Sequence, residues 1–387
     1  MSDRELLDLT RRLVGIASHE DETAAGDAVE SWLRSETDAA VERDPDGNVI
    51  ARRNPGGSTA LALVGHHDVV PPADRQTTDT GEYVIEERDG RLYGRGVADM
   101  KGALAACLFA FRDAEIHDDL ELVLASFVEE EHGGIGARAA IDRGFAPEFA
   151  VVAEGSTGYS APDDRPTTAV TDVAVAHRGR RGSTIVASGE SAHASEIDAG
   201  ENAVYRACDA VDVVRDLPAP GATVLGKRLA GSITVTEIEG GTAMNVIPDR
   251  CTVTVDERTV PNDRTPLERV ETIDGVEWRV DGDLPPMACS NESFADAAIA
   301  AARAVHEQDP DAGTPERVTK PHATDAGWLA SAGTACVVCG PAEPGEAHTE
   351  TESVSIDVLD RCRGIYRALA GREFAEHVLR EREADRS

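Results

Sequence analysis

The chain has 387 residues, of which 41% are apolar, so it is long enough to build two hydrophobic cores. Its 72 acidic and 38 basic residues give a formal net charge of −34, and a field this negative excludes nucleic acid and anionic membranes as partners. No basic start precedes an apolar stretch at the N-terminus, and no apolar run has the length of a membrane span, so we expect a cytoplasmic protein.

The first part of the chain, to about residue 155, alternates short apolar runs with helical patterns. A helical pattern over residues 6–33 comes first. The runs that predict strands are 60–64, 120–128 and 149–153, and the helical patterns between them are 100–114 and 134–142. Strands that alternate with helices predict an α/β fold whose mostly parallel sheet is covered by helices.

A Pro- and Asp-rich stretch at residues 161–166 interrupts this alternation. The next segments indicate a small α+β unit inserted into the main domain: strands at 183–188, 232–237 and 251–256, and helices at 203–216 and 266–272. The first pattern then resumes with a helix at 294–305, a strand at 334–338 and a helix from about residue 357. We therefore predict a catalytic domain at 1–177 and 285–387, with an inserted domain at 178–284.

Acidic and histidine side chains follow the predicted strands at the point where each strand ends. His66 follows the first strand, Glu130 and Glu131 the second, and Glu154 the third. Because open α/β sheets bind ligands at the carboxyl ends of their strands, we expect these side chains to meet in one crevice. Asp99 directly precedes a predicted helix, whose N-terminus favours an anionic side chain.

These residue types are the ones that hold a pair of zinc-like ions. Together with His348 near the C-terminus, they supply two imidazoles and several carboxylates. In so acidic a chain an adjacent pair of glutamates is usually a solvated charge run, and a single histidine often lies on the surface. The positions of these groups beside buried strand ends favour the two-metal interpretation, since an unpaired charge there is costly.

Several segments in this order resemble one enzyme family. The segments are GHHDVVP (65–71), GRGVADMKG (94–102), EEE (129–131), GGTAMNVIP (240–248) and AHT (347–349). They are similar to the dizinc amidohydrolase and metallopeptidase family that contains succinyl-diaminopimelate desuccinylase, acetylornithine deacetylase, aminoacylase and carboxypeptidase G. The resemblance runs from about residue 5 to residue 375.

The resemblance implies a dinuclear metal site. His66, Asp99 and Glu154 would hold one ion. Asp99, Glu131 and His348 would hold the other, with Asp99 as the bridge. The expected cofactors are two divalent ions, zinc in the first place, with cobalt and manganese as alternatives.

The same resemblance implies two further roles beside the metals. Glu130 would be the general base that takes a proton from water and returns it to the leaving amine. Asp68 would accept the second N–H of the His66 ring and fix its tautomer.

The inserted domain resembles the lid and dimerisation domain of the family, which implies a homodimer through this domain. His193, in the segment SAHAS, would reach the active site of the partner subunit and stabilise the oxyanion. Asn245 and Arg258 would bind polar groups of the substrate. Arg180 lies in RGRRGS (178–183), which resembles the start of the desuccinylase lid, although an arginine cluster also suits a plain surface.

The resemblance thus implies hydrolysis of a small-molecule N-acyl amino acid, with succinyl-diaminopimelate as the specific expectation. Residues 322–326 keep the corresponding desuccinylase sequence only in part. Acetylornithine deacetylase and a broader N-acyl amino acid hydrolase or carboxypeptidase are therefore alternatives. A non-catalytic binding relative is an alternative of another class, but it would be expected to lack Glu130 or a ligand, and all these positions are filled.

The acidic surplus is spread along the whole chain, which is typical of proteins from salt-loving microbes. We predict that the thermal unfolding midpoint rises steeply between 0.01 M and 1 M salt, where the Debye length falls from about 30 Å to about 3 Å and carboxylate repulsion is screened. Calorimetry over this range measures the effect. A midpoint that does not change with salt would contradict the halophilic interpretation.

Overall fold

A computed structural model of the chain describes residues 2–161, 166–309, 311–371 and 374. The chain divides into two compact units. The second unit comprises His177–Met287 with Pro321–Ala323, and the first unit comprises the remainder. These divisions lie beside the domain boundaries expected at 177/178 and 284/285. Most of the Pro- and Asp-rich stretch, residues 162–165, lies outside the described residues.

The helices and strands follow in chain order, as far as the chain is described. The α-helices are α1 (Ser2–Val14), α2 (Thr23–Glu36), α3 (Gly102–Asp113), α4 (Ile135–Asp142), α5 (Ala203–Asp216), α6 (Glu292–His306), α7 (Asp325–Ser331) and α8 (Ile356–Leu369). The strands are β1 (Ala40–Arg43), β2 (Val49–Arg53), β3 (Thr59–His66), β4 (Glu86–Arg88), β5 (Arg91–Tyr93), β6 (Leu120–Phe127), β7 (Phe149–Val152), β8 (Val173–His177), β9 (Arg180–Ser188), β10 (Ala192–His193), β11 (Gly221–Val224), β12 (Lys227–Ala230), β13 (Ser232–Gly240), β14 (Val246–Ile247), β15 (Arg250–Arg258), β16 (Val276–Leu284), β17 (Met287–Ala288), β18 (Arg317–Lys320), β19 (Ala335–Val338) and β20 (Ser353–Ser355).

The first unit is built on a mixed sheet of order β1-β2-β6-β3-β7-β19-β8-β17, with β18 also paired to β8. The four central strands β6, β3, β7 and β19 are parallel, whereas β1 and β2 are antiparallel to their neighbours and β8 is antiparallel to β19. The central strands are apolar and buried along almost their whole length, as expected for strands covered on both faces. This confirms the α/β fold class.

Helix α3 follows a turn that contains Asp99 (Val97–Lys101) and is buried on all sides. Every residue from Gly102 to Phe111 is buried, and the helix packs against β3, α1 and α8. Its apolar residues therefore do not form a stripe, which fits a helix inside the core. Because α3 begins at Gly102, Asp99 lies in the preceding turn and not at the helix start.

The single helix predicted over residues 6–33 is wrong, because α1 and α2 are separated by a turn. The amide of Gly15 donates to the carbonyl of Arg11 at 2.9 Å, and α1 has ended one residue earlier. The carbonyl of Ser18 accepts a hydrogen bond from the amide of Val69 at 3.2 Å, outside any helix. A glycine lowers helix propensity here, and the tertiary bond to Val69 fixes the turn.

The second unit contains an antiparallel sheet of order β13-β15-β9-β16. Helix α5 and a short 3₁₀-helix (Leu267–Thr272) pack on one face, around a core that includes Ile185, Val253 and Val255. The helix predicted at 266–272 is thus a 3₁₀-helix. Strand β16 was not predicted; six of its nine residues are exposed, and its sequence does not form an apolar run.

No helix among the described residues combines the length and the apolar character that crossing a membrane requires.

Candidate metal centre

Three neighbouring parallel strands end at one edge of the first unit's sheet, and a candidate ligand follows or ends each of them. His66 is the last residue of β3, Glu131 comes after β6, and Glu154 comes after β7. His66 and Glu154 are buried, and Glu131 is partly buried. The sheet therefore gathers side chains that are far apart in the chain.

Asp99 lies in a tight turn, Val97–Lys101, and its position is fixed through its backbone. One carboxylate oxygen of Glu352 accepts hydrogen bonds from the amides of Ala98 at 2.9 Å and Asp99 at 3.2 Å. The other oxygen pairs with Arg95 at 2.5 Å, and Glu352 is only 1% exposed. Burial, with the carboxylate of Asp99, raises the pKa of Glu352 to about 7.

The two carboxylate oxygens of Asp99 face two different pairs of side chains. Oδ1 lies 3.1 Å from Nε2 of His66, and that nitrogen lies 3.3 Å from Oε1 of Glu154. Oδ2 lies 3.1 Å from Nε2 of His348, and that nitrogen lies 3.0 Å from Oε1 of Glu131. Asp99 therefore belongs to both groups, and each group contains one imidazole and two carboxylates.

Each group has the donor set that zinc and similar cations take in proteins. Ligand atoms of His66, Asp99 and Glu131 lie within 4.8 Å of one another, as do those of His66, Glu130 and Glu154. The second cluster differs from the expected set of His66, Asp99 and Glu154, because it contains Glu130 and not Asp99. The contacts of Asp99 divide the side chains in another way, because one of its oxygens faces His66 and the other faces His348. The residues present fit a pair of divalent ions.

The surrounding carboxylates favour positive charge at this centre. Burial alone would lower the pKa of His66, but Asp68 and Asp99 raise it well above its usual value. Hydrogen bonds to Asp99 and Glu131 raise the pKa of His348 to about 10. Divalent cations satisfy the same demand for positive charge while the imidazoles bind in their neutral form.

Asp68 connects ligands of both groups. Nδ1 of His66 lies 3.1 Å from the backbone oxygen of Asp68 and 3.2 Å from its Oδ1. Oδ2 of Asp68 accepts a hydrogen bond from the amide of Glu131 at 3.1 Å. The neighbouring His67 is directed elsewhere: its Nδ1 lies 2.8 Å from Oγ of Ser126, and burial lowers its pKa to about 3.

Glu130 lies beside His66 and Glu154 in a partly buried position. Burial raises its pKa well above the usual value, and the carboxylates of Asp325 and Glu154 add to this effect. Asp325 is 2% exposed, and its Oδ1 has no hydrogen-bond partner among the described residues. A carboxyl group with a raised pKa is suited to accept and return a proton near neutral pH.

Lys320 lies against Glu154. Its Nζ is 3.1 Å from Oε2 of Glu154, and both residues are buried. Burial would lower the pKa of Lys320, but the negative charge of Glu154 and the neighbouring Tyr159 raise it above the usual value. The ammonium group therefore remains charged beside Glu154.

In the second unit, the structure brings His193 and Asn245 together. Strand β10 pairs with β14, and the amide of Ala194 donates to the backbone oxygen of Asn245 at 2.9 Å. Nδ1 of His193 lies 2.7 Å from Oγ of Ser195. Both His193 and Asn245 are exposed.

Arg180 and Arg258 also lie together, because Asp256 binds both. Nε of Arg180 donates to Oδ2 of Asp256 at 2.7 Å, and Nε of Arg258 donates to Oδ1 at 2.8 Å. Among the described residues, the Nη groups of the two arginines have no hydrogen-bond partner. Asp256 thus holds two guanidinium groups side by side.

The sequence did not single out Glu352, Asp325 or Lys320. In a chain with 72 acidic residues, nothing marks Glu352 and Asp325 before the fold is known. The sequence does mark Lys320 in one way, because the chain has only three lysines. The structure shows that two of them, Lys101 and Lys320, are buried in the first unit. A rare residue type that is placed twice in the interior indicates a specific requirement.

Known proteins match the chain over most of its length. The model of Peptidase family M20/M25/M40 matches residues 62–372. An acetylornithine deacetylase from Myxococcus xanthus is 31% identical over 85% of this chain and 83% of the relative. An N-formyl-4-amino-5-aminomethyl-2-methylpyrimidine deformylase from Bacillus subtilis is 26% identical over 92% and 91%. A succinyl-diaminopimelate desuccinylase from Corynebacterium glutamicum is 28% identical over 72% and 75%.

Solved structures share the fold. An aminopeptidase from Bacillus cereus aligns with a TM-score of 0.72 at 17% identity, covering 96% of this chain and 98% of that chain. A dinuclear metal-binding peptidase of the M20 family from Bacillus subtilis aligns with a TM-score of 0.68 at 15% identity, covering 95% and 97%. The family model covers well over half of the sequence. The chain therefore belongs to peptidase family M20/M25/M40, and it is a metal-dependent amidohydrolase.

Proposed function

We propose that the protein hydrolyses the amide bond of N-acylated amino acids at a dinuclear metal centre. His66, Asp99 and Glu154 hold one ion, and Asp99, Glu131 and His348 hold the other. The observation that carries this proposal is the division of the two Asp99 oxygens between two pairs of one histidine and one glutamate. Zinc suits these ligands best, and cobalt and manganese accept the same types of atoms.

The residues around the centre complete the reaction. A pair of divalent cations, when bound, supplies Lewis acidity for the amide carbonyl and lowers the pKa of water. Glu130 accepts the proton that the water loses as its oxygen adds to the carbonyl carbon. It returns this proton to the amide nitrogen as the C–N bond breaks, so that a carboxylic acid and a free amine leave. Asp68 keeps the His66 ring in its orientation.

The second unit is proposed as a lid and dimerisation domain, in which His193 of one subunit stabilises the oxyanion at the active site of the other. Two features support this role. His193 and Asn245 are exposed side by side. Strand β13 lies at an edge of its sheet with Ile238 53% exposed, and exposed edge strands can pair with a second chain.

For the substrate, we propose a succinylated amino acid of the diaminopimelate type. Two guanidinium groups held side by side by Asp256 suit the recognition of a carboxylate, which a succinyl group has and an acetyl group lacks. The relative from Corynebacterium glutamicum supports this substrate. Acetylornithine is the second candidate, because the relative with that activity has the higher identity, 31% against 28%.

The first prediction separates the ligand role of Asp99 from the base role of Glu130. Glu130→Gln should bind two ions and lose about 10²- to 10⁴-fold in kcat, because it removes the base and keeps the ligands. Asp99→Ala should lose metal as well as activity, since no anion then bridges the two cations. Elemental analysis and steady-state kinetics measure the two effects.

Glu129→Gln is the matched control for this experiment and should keep both its metal and its rate. Normal metal content in Asp99→Ala would contradict the bridging role. A Glu130→Gln variant that keeps most of its rate would contradict the base role.

A second prediction tests action across the dimer. His193→Ala and Glu130→Gln homodimers should both be nearly inactive. Mixed dimers should regain activity, because one of the two active sites then has both Glu130 and His193. If purified mixed dimers, confirmed by mass spectrometry, gain no activity, His193 does not act across the interface.

A third prediction concerns the substrate carboxylate. Replacing Arg180 or Arg258 with alanine should lower kcat/KM for succinyl-diaminopimelate by about 10- to 100-fold. This factor corresponds to the about 1.5–3 kcal/mol that a hydrogen bond to a charged group contributes. The loss for acetylornithine should be much smaller. Arg279→Ala, an exposed arginine paired with Glu277, is the control. Equal losses on both substrates would contradict carboxylate recognition by these arginines.

A further inference from the structure

Lys320 and His66 contact different carboxylate oxygens of Glu154, which is a proposed metal ligand. It is the last residue of β18. Its Nζ lies 3.1 Å from Oε2 of Glu154, while Oε1 of Glu154 lies 3.3 Å from Nε2 of His66. Lys320 is 5% exposed and Glu154 is 8% exposed. Each Glu154 oxygen therefore has its own partner, and only one faces the proposed ion.

The choice of lysine at this position is unusual for the chain. Of its 38 basic residues three are lysines, which leaves 35 arginines. Arginine is thus the default basic residue, and a buried lysine beside a ligand calls for a chemical reason. The relevant difference is that guanidinium presents a planar fork of donors, whereas ammonium is a compact point charge.

Arginines elsewhere in this chain show what the fork does. Arg112 donates from Nε and Nη2 to the two carboxylate oxygens of Asp113, at 2.7 and 3.2 Å. Arg279 does the same with Glu277, at 3.0 and 2.6 Å. An arginine in the place of Lys320 could occupy both oxygens of Glu154 in this way and remove it as a ligand.

We propose that Lys320 is a positioning residue that restricts Glu154 to one ligating oxygen and, through its charge, weakens the binding of the ion at His66, Asp99 and Glu154. The proposal rests on the proposed function, because it takes over that assignment of ligands. Two physical effects are involved. An oxygen bound to the ammonium group is not available to a cation, and the ammonium charge repels the cation.

The same contact has a second consequence for the protein before it binds metal. Glu154 is buried, and an unpaired buried carboxylate destabilises the fold. The Lys320 ammonium group offsets this charge at 3.1 Å. Lys320 thus supports the fold without an ion and limits how tightly the ion binds.

The experiment is a calorimetric titration of the metal-free, full-length protein with zinc. Lys320→Met should tighten the ion at Glu154 by about 10- to 100-fold, since the carboxylate gains a free oxygen and loses the repelling charge. Lys320→Arg should weaken the same ion by a similar factor, because the fork binds both oxygens. Lys227→Arg, a lysine of β12 in the second unit, is the matched control and should change neither constant.

Both shifts should persist in the His348→Ala background, which removes a ligand of the other ion, so that the ion at Glu154 is measured alone. A purely structural role would lower the stability of both variants and would not move the metal affinity in opposite directions. If Lys320→Met fails to fold, Lys320→Gln, which is also neutral, carries the same expectation. Thermal unfolding of each metal-free variant is the check on folding.

Opposite shifts in the two Lys320 variants support the proposal. Unchanged constants, or shifts in the same direction, overturn it. A wild-type protein that binds no zinc would contradict the proposed function instead, because no ligand set would then exist for Lys320 to modify. The two failures are therefore distinguishable in one set of titrations.

Discussion

The carboxylate of Asp99 is the group on which the rest of the site depends, because its two oxygens contact two different pairs of one histidine and one glutamate. Such an arrangement concentrates negative charge in a buried place, where each carboxylate is costly without a positive partner. In the first unit, both backbone and side-chain contacts stabilise Asp99 in this position. The buried Glu352 holds the amide of Asp99, and Arg95 compensates the charge of Glu352.

Glycines explain why the Asp99 turn can pack so closely against β3. Gly96 has a φ of +81°, and a Cβ atom there would lie 2.4 Å from Cγ1 of Val69. A Cβ atom on Gly65 would lie 2.7 Å from Cε of Met100. A side chain at Gly96 would meet Val69 and would also be strained by the positive φ, whereas a side chain at Gly65 would have to displace the flexible end of Met100. Glycine at these positions thus permits close packing around the turn and the end of β3.

The residues at the strand ends could be predicted from the sequence, but the contacts between distant parts of the chain could not. His66, Glu131 and Glu154 could be placed together because buried parallel strands are long apolar runs and their carboxyl ends share an edge. The break between α1 and α2 was missed, because an amide of Val69, far along the chain, fixes that turn. Glu352 was missed for the same reason, since its partners lie more than 250 residues earlier.

The excess of acidic residues acts differently at the surface and in the interior. Exposed carboxylates interact with mobile ions, so their mutual repulsion falls as the Debye length shortens. The partly buried carboxylate of Asp99 and the buried carboxylate of Glu154 are largely hidden from that screening and depend on partners fixed by the fold. Imidazoles, the Lys320 ammonium group and the divalent ions proposed here are such partners. A chain that is acidic throughout therefore still needs individually placed cations in its interior, and the Lys320 ammonium group beside Glu154 is one of them.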